Sequence, residues 1–574
     1  MKTIFGYLKR YKKESVLGPL FKLFEATLEL IVPLVIASII DDGISKGADG
    51  RSYVIKMCLL LVLLGAAGLA FSVTAQYYAA KASVGAVSKL RYSLFGHLGT
   101  LSYTEIDTLG TSTMITRMTS DTNQVQTGLN LGLRLLLRSP FVVFGAMIMA
   151  FTIDARAALT FAAVIPALSI VVYGIMFISM PLYKKTQARL DKVLSKTREN
   201  LSGVRVVRAF CREDAEISEF KKRNEDYTHS QKFVGKISAL TNPMTYVLIN
   251  LAILWLINVG ALRVNSGDLT QGEVIALYNY MSQILVELIK LANLIITLTK
   301  TVASAGRINS VFAIKSSLVD GERTEGYGSD IAVEFSSVSL KYKNSSEKSL
   351  ENISFTAKKG DTVGIIGGTG SGKSSLVNLI SRFYDATEGE VIFDGADIKS
   401  YRQSTLREKI AVVPQKAVLF SGTIRDNMLW GNESATDEEI MRAVEIAQAL
   451  DVVDAKGGLD AKIEQGGRNL SGGQKQRLTI ARALVKNPEI LILDDSASAL
   501  DFATDARLRA AIGNMAGERT VFIVSQRTSS IMHADKIVVL DDGECAGIGT
   551  HDELLNSSAV YREIYYSQFK REAE

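Results

Sequence analysis

Six apolar runs of membrane-spanning length crowd the first half of the chain: Val16 to Ile40, Tyr53 to Gln76, Leu129 to Phe151, Ala157 to Met180, Leu240 to Val264 and Val274 to Leu298. Each reaches the roughly 20 residues that a helix needs to cross about 30 Å of hydrocarbon, where backbone groups must be satisfied internally. At 574 residues, with 47% apolar and 22% charged, the chain is too long for one ordinary domain and leans towards a membrane protein. The expected fold class is an α-helical six-span membrane domain with long cytoplasmic helical extensions, followed by an α/β domain.

Charge sets the orientation. Lys2, Lys9, Arg10, Lys12 and Lys13 precede the first run, and the connector from Lys184 to Lys236 is rich in cations, including Lys192, Arg205, Arg208 and Lys221. The connectors Asp41 to Ser52, Thr152 to Arg156 and Arg263 to Gly272 are short and poorer in cations. The positive-inside bias then places the N-terminus, the two long connectors and everything after the sixth run in the cytoplasm, on the inner face of the cytoplasmic membrane. The net charge of +5 is accounted for by this orientation, and no nucleic-acid partner is expected. No cleavable small-residue site follows a short apolar core, so no signal peptide is expected. Cys58, Cys211 and Cys545 are odd in number and far apart, and suit free thiols rather than a metal spacing or a disulfide framework.

Beyond Ile308 the pattern changes. "KSSLVDGERTEGYGSD", Lys315 to Asp330, is polar and glycine-bearing, as an exposed linker should be. After it, "DTVGIIGG", "EKIAVVPQ", "EILILDD" and "RTVFIVSQ" alternate with helical stretches, which argues for a parallel or mixed sheet covered by helices. The expected division is a membrane domain over 1–310, a linker over 311–330 and a soluble domain over 331–574. The two long connectors are patterned as helices, and their tips, near 104–126 and 198–214, are expected to meet the soluble machinery.

"GGTGSGKSS" fits G-x-x-x-x-G-K-[ST] between the strand "DTVGII" and the helical "SSLVNLISRFY". In that setting Gly367, Gly368, Thr369, Gly370, Ser371 and Gly372 turn backbone N–H groups towards phosphates, Lys373 reaches the β/γ-phosphates, and Ser374 ligates Mg2+, with Ser375 beside it. This is the P-loop of a nucleotide-binding domain, and ATP is its expected ligand. Asp494 closes the strand "ILIL" and can hold the Mg2+ shell, and Gln415 ends another strand where it can contact Mg2+ or an attacking water.

"LSGGQKQRLTIARAL", together with the glycine loop, Gln415 and the turn "SALD", resembles the ATP-binding cassette transporters across essentially the whole chain. Six spans followed by one cassette resembles a half-transporter of the exporter type. The resemblance implies a head-to-tail dimer, each ATP lying between one chain's glycine loop and the other's Ser471, Gly472, Gly473 and Gln474. It further implies that Tyr342 stacks on adenine and that Asp501 crosses the dimer interface.

Two positions depart from the family's pattern. Where a glutamate usually acts on the attacking water there is Asp495, and where a histidine usually holds the γ-phosphate there is Gln526. One methylene fewer withdraws the carboxylate by roughly an ångström, a misplacement that can cost about 100-fold, and glutamine cannot carry a positive charge. With the glycine loop, Asp494 and signature intact, this reads as the slow site of a heterodimeric exporter, with a homodimer of two slow sites as the alternative. An ATP-gated channel and a sensory ATPase are the alternatives from other classes.

Ions within spans are candidate functional groups because hydrocarbon makes them costly. Glu25 and Glu29 share a face of the first run beside Lys22, and Glu287, Lys290 and Asn293 lie on the sixth. Two readings stand with equal weight: they suit amphipathic cations among drug-like molecules, lipids or peptides, or they pair with one another and hold helices together. Membrane lipid and a second half-transporter complete the expected partners.

Overall fold

The computed structural model describes residues 6–343, 345–514 and 519–569, so Lys2 lies outside the described residues. It divides into two compact units: Met1–Gly99 with Ser112–Ala313, and Thr100–Thr111 with Ile314–Glu574.

Among the described residues the first unit is built of helices joined by short turns, and five continuous helical stretches are long and apolar enough to cross a membrane; the first of these, Gly6–Gly99, contains two spans. Its helix Lys12–Ser38 ends in a turn over Ile39–Gly50, where Gly47 takes φ 59, and the chain returns as Arg51–Gly99. The remaining spans are Arg138–Ile153, preceded by Thr122–Leu135, then Ala155–Ser202, Thr241–Asn265 and Gln271–Phe312. Leu59, Val62, Leu63 and Leu69 are exposed, as side chains facing lipid would be.

The 48 residues of Ala155–Ser202 extend over about 70 Å at 1.5 Å per residue, more than twice the hydrocarbon thickness. The chain then reverses through the short helix Val204–Ala209 and runs back as Glu213–Ala239. Thr186 and Ser230 bond at 2.8 Å and Lys196 reaches Glu216 at 2.7 Å across this hairpin.

Pro33 shows how a span tolerates a broken ladder. A proline inside a helix leaves carbonyls one turn earlier without donors. Tyr280 donates its hydroxyl to Leu30 O at 2.7 Å and Gln283 donates Nε2 to Glu29 O at 3.5 Å, so the sixth span supplies what the first lacks. The outer end of the sixth span is fixed as well. Gly272 N donates to Asp41 Oδ1 at 2.8 Å, and a Cβ on Gly272 would stand 2.4 Å from Ala37 O.

In the second unit a six-stranded sheet runs in the order Glu544–Gly549, Lys536–Asp541, Thr362–Gly367, Thr520–Val524, Ile490–Asp494, Ile410–Val413. All its pairings are parallel except that of Glu544–Gly549. Ile490–Asp494 lies between two parallel neighbours and is buried along its length, which explains its unbroken apolar run. A second, antiparallel sheet holds Leu350–Lys358, Ile331–Leu340, Glu388–Phe393 and Ala396–Asp397.

The polar stretch Lys315 to Asp330 is not a free linker. Arg323 N donates to Ser400 O at 3.0 Å, Tyr327 N to Asp394 O at 2.8 Å, and Arg382 Nη2 to Val319 O at 2.7 Å.

Candidate functional site

Parallel strands deliver their succeeding loops to one edge of the sheet, where open α/β folds bind ligands. Here that edge receives the glycine loop after Thr362–Gly367, Gln415 after Ile410–Val413, Asp495 after Ile490–Asp494 and Gln526 after Thr520–Val524. A cavity of about 250 Å3 is lined by Thr369, Lys373, Ser374, Gln415, Asp495 and Gln526, with Gly370, Gly372, Ser375 and Asp494 also in its wall.

Gly372 takes φ 93, a conformation side chains resist, and a Cβ there would stand 2.5 Å from Ser349 O. The next residue begins the helix Lys373–Ile380, so the loop's N–H groups and the helix N-terminus converge. Lys373 is buried and folds back on its own loop, donating to Gly368 O at 2.5 Å, Gly367 O at 3.0 Å and Ser371 Oγ at 3.4 Å. Burial pushes its ammonium down, against the attraction of Asp495 and Asp494.

Ser374 Oγ donates to Asp494 Oδ1 at 3.0 Å. Burial pushes the Asp494 carboxyl up, the Ser374 bond opposes it, and the charge on Asp495 adds to the rise. The Ser374 hydroxyl and the Asp494 carboxylate, side by side in the cavity wall, are hard oxygen donors that fit Mg2+, which takes one or two carboxylates and completes its shell with phosphate and water. Gln415 Nε2 donates to Asp495 Oδ2 at 3.3 Å, and Gln526 is exposed at the rim.

Tyr342 lies beside this wall, its hydroxyl donating to Ser375 Oγ at 2.9 Å. Burial pushes its phenol up. Its ring meets Tyr384 edge-on at 5.0 Å, and Tyr384 donates to Asp107 Oδ2 at 2.6 Å.

Asp107 belongs to the helix Tyr103–Leu109, which groups with the second unit. Tyr103 packs on Phe383 at 4.7 Å, and Ser317 N donates to Glu105 Oε2 at 3.2 Å. Although burial opposes it, bonds from Ser102 and Ser317 hold the Glu105 carboxyl below its usual range. The stretch expected near 104–126 therefore divides, and its part from Ser112 onward belongs to the membrane unit. Sequence reasoning placed most of this stretch at a connector tip but did not single out Tyr384, Asp107 or a separate helix there. Ser102 and Glu105 at capping-box spacing, with Gly110 at φ 73 beyond the last turn, were the available signal.

Ser471, Gly472, Gly473 and Gln474 do not line the cavity. They open the helix Gly472–Val485: Gln474 N donates to Ser471 Oγ at 3.3 Å and Ser471 N to Gln474 Oε1 at 2.9 Å. Asp501 caps Phe502–Gly513 by accepting from Thr504 N at 2.9 Å.

In the spans, Lys22 pairs with Glu25 at 2.5 Å, while Glu29 turns instead to Arg138 at 2.5 Å. Arg138 also holds Glu287 at 2.5 Å, and Glu287 accepts from Ser139 at 2.8 Å and from Lys290 at 2.8 Å. Arg138 was overlooked, although it stands in plain view with Arg134 inside the third apolar run.

Comparison with known proteins agrees with this architecture. The family described as "ABC transporter transmembrane region" matches residues 15–288 and that described as "ABC transporter" matches 350–498. The ABC transporter ATP-binding protein YfiB of Bacillus subtilis (strain 168) is 37% identical over 100% of this chain and 99% of its own. The ATP-dependent lipid A-core flippase of Desulfotalea psychrophila is 34% identical over 84% of each. In fold, the chain is similar to a bacterial Atm1-family ABC exporter solved with ATP bound, with a TM-score of 0.81, 24% identity and 99% of each chain covered.

Proposed function

The chain belongs to the ATP-binding cassette transporters, and on that premise we propose that it is one half of a heterodimeric exporter of amphipathic compounds, carrying the slower of two ATP sites. It is a multi-pass membrane protein with a cytoplasmic nucleotide-binding domain, and its cassette couples ATP hydrolysis to transport within a dimer. The name of the flippase relative supports an amphipathic substrate.

When ATP enters, Lys373 exchanges the carbonyls of Gly367 and Gly368 for β/γ-phosphate oxygens. Ser374 and Asp494 would supply oxygens to a bound Mg2+, with Gln415 beside them, where the ion would provide charge neutralisation for the phosphates. Gln415 holds Asp495 in the direction of the attacking water. Asp495 accepts that water's proton inefficiently because its carboxylate stands one methylene short, and Gln526 offers a hydrogen bond without charge. Tyr342 gives its ring to adenine. Ser471 and its glycines, exposed at a helix N-terminus, face the partner's γ-phosphate, and Asp501 approaches the same interface.

The observation that carries this reading is the presence of Asp495 and Gln526 in the wall of an otherwise complete phosphate cavity. ATPase measurement tests it. The purified chain alone should hydrolyse little, and a companion chain bearing glutamate at the position of Asp495 should restore turnover. Brisk hydrolysis by the chain alone would sink the unequal pair.

A further inference from the structure

Between the first and sixth spans lies a cavity of about 320 Å3 whose wall mixes polar groups, Glu29, Asn279, Gln283 and Lys290, with apolar ones, Val32, Ile36 and Val286. The polar groups include the ends of an alternating chain of charges, Glu29 to Arg138 to Glu287 to Lys290, each link an ion pair. The inner members are spent on one another: Arg138 is 5% exposed and Glu287 2%. The outer members are not. The side chains of Glu29 and Lys290 are 39% and 43% exposed, and each is paired with one inner member. Gln283 Oε1 is buried and has no hydrogen-bond partner among the described residues.

The cluster is neutral in sum but presents one carboxylate and one ammonium to the same space. An amphiphile with a lone positive head gains Glu29 and meets Lys290, and one with a lone negative head does the reverse. Each charged wall group thus works against the head that the other attracts. A head carrying both charges satisfies both, and an ammonium with N–H donors also answers the unpaired amide oxygen of Gln283. The apolar side chains of Val32, Ile36 and Val286 take the tail.

We propose that this cavity binds the head of a zwitterionic amphiphile, its N–H ammonium at Glu29 and Gln283 and its carboxylate or phosphate at Lys290. The proposal rests on reading the chain as an exporter of amphipathic compounds, and narrows it to one class of head.

The test is equilibrium binding, which needs neither hydrolysis nor a particular partner and so can fail while the exporter reading stands. The full chain is placed in phosphatidylglycerol nanodiscs with radiolabelled 2-aminotetradecanoic acid. Tetradecylamine, myristate and myristoyl lysophosphatidylethanolamine serve as competitors. The single-charge homologues should compete about two- to fivefold more weakly than the unlabelled zwitterion, the worth of one exposed charge pair. Strong competition by the lysolipid points to a phosphate head as the natural one, and its failure points to a carboxylate; both stand with the proposal. Lys290→Gln, which leaves Arg138 with both its carboxylates, should abolish the preference over tetradecylamine, and Glu29→Gln the preference over myristate. Equal competition by all tetradecyl compounds, or preferences unchanged in Lys290→Gln, overturns it.

Discussion

Asp495 takes φ 46, a left-handed conformation that aspartate enters several-fold more readily than most residues. Its amide is held by Val524 O at 3.0 Å, which fixes the turn at the strand's end. Two effects therefore oppose each other in Asp495→Glu. The longer side chain moves the carboxylate towards the water, where a well-placed base is worth about 10²- to 10⁴-fold, and the backbone resists the change. A net gain is expected in single-turnover hydrolysis by mixed dimers whose other site is disabled, but one short of that range. Adding Gln526→His should raise it again, non-additively, because both groups act on one transition state. No increase in either variant means that geometry elsewhere sets the rate. The identities at 495 and 526 were legible because the motifs around them fix their places. The backbone setting was not, since it depends on a neighbouring strand. Arg138 shows the same limit: its charge was plain, but its partners Glu29 and Glu287 stand 109 and 149 positions away.

At the scale of elements, the strand, glycine loop and helix were readable because their order is itself the mechanism of phosphate binding. The helix Tyr103–Leu109 was harder to see, because apolar periodicity runs through the connector and does not mark where the chain reverses. Its placement links the Tyr342 side of the site to the connector within one unit, through Tyr342, Tyr384 and Asp107. Burial, aided by the Asp107 bond, pushes the Tyr384 phenol up, so this hydroxyl stays protonated and donating at any ordinary pH. Tyr384→Phe removes that bond and keeps the ring. At about 1 kcal/mol for a hydrogen bond, the ratio of substrate-stimulated to basal ATPase should fall about fivefold. ATP affinity should hardly change, because the edge-on ring contact remains. A ratio that stays at the wild-type value in the reconstituted pair would show that the bond transmits nothing.

For the whole molecule, the membrane makes the architecture legible, because hydrocarbon demands long apolar helices whatever their partners. The division of labour proposed between two chains rests on fainter signs, on which site parts are intact. Two substitutions separate them. Under that proposal Lys373→Ala damages the slow site, removing the cation from its glycine loop, so the mixed dimer should bind less ATP there yet keep part of its turnover. Ser471→Arg acts on the partner's fast site, because a bulky cation at the N-terminus of Gly472–Val485 blocks closure on the γ-phosphate. Turnover should then stop. The arginine also removes a cap worth about 1 kcal/mol, so Ser471→Ala is the control: it loses the same cap without the bulk and should keep measurable activity at a similar thermal midpoint. Equal and complete loss in Lys373→Ala and Ser471→Arg would mean that the two sites carry equal weight, and that the short carboxylate of Asp495 does not mark this chain as the lesser partner.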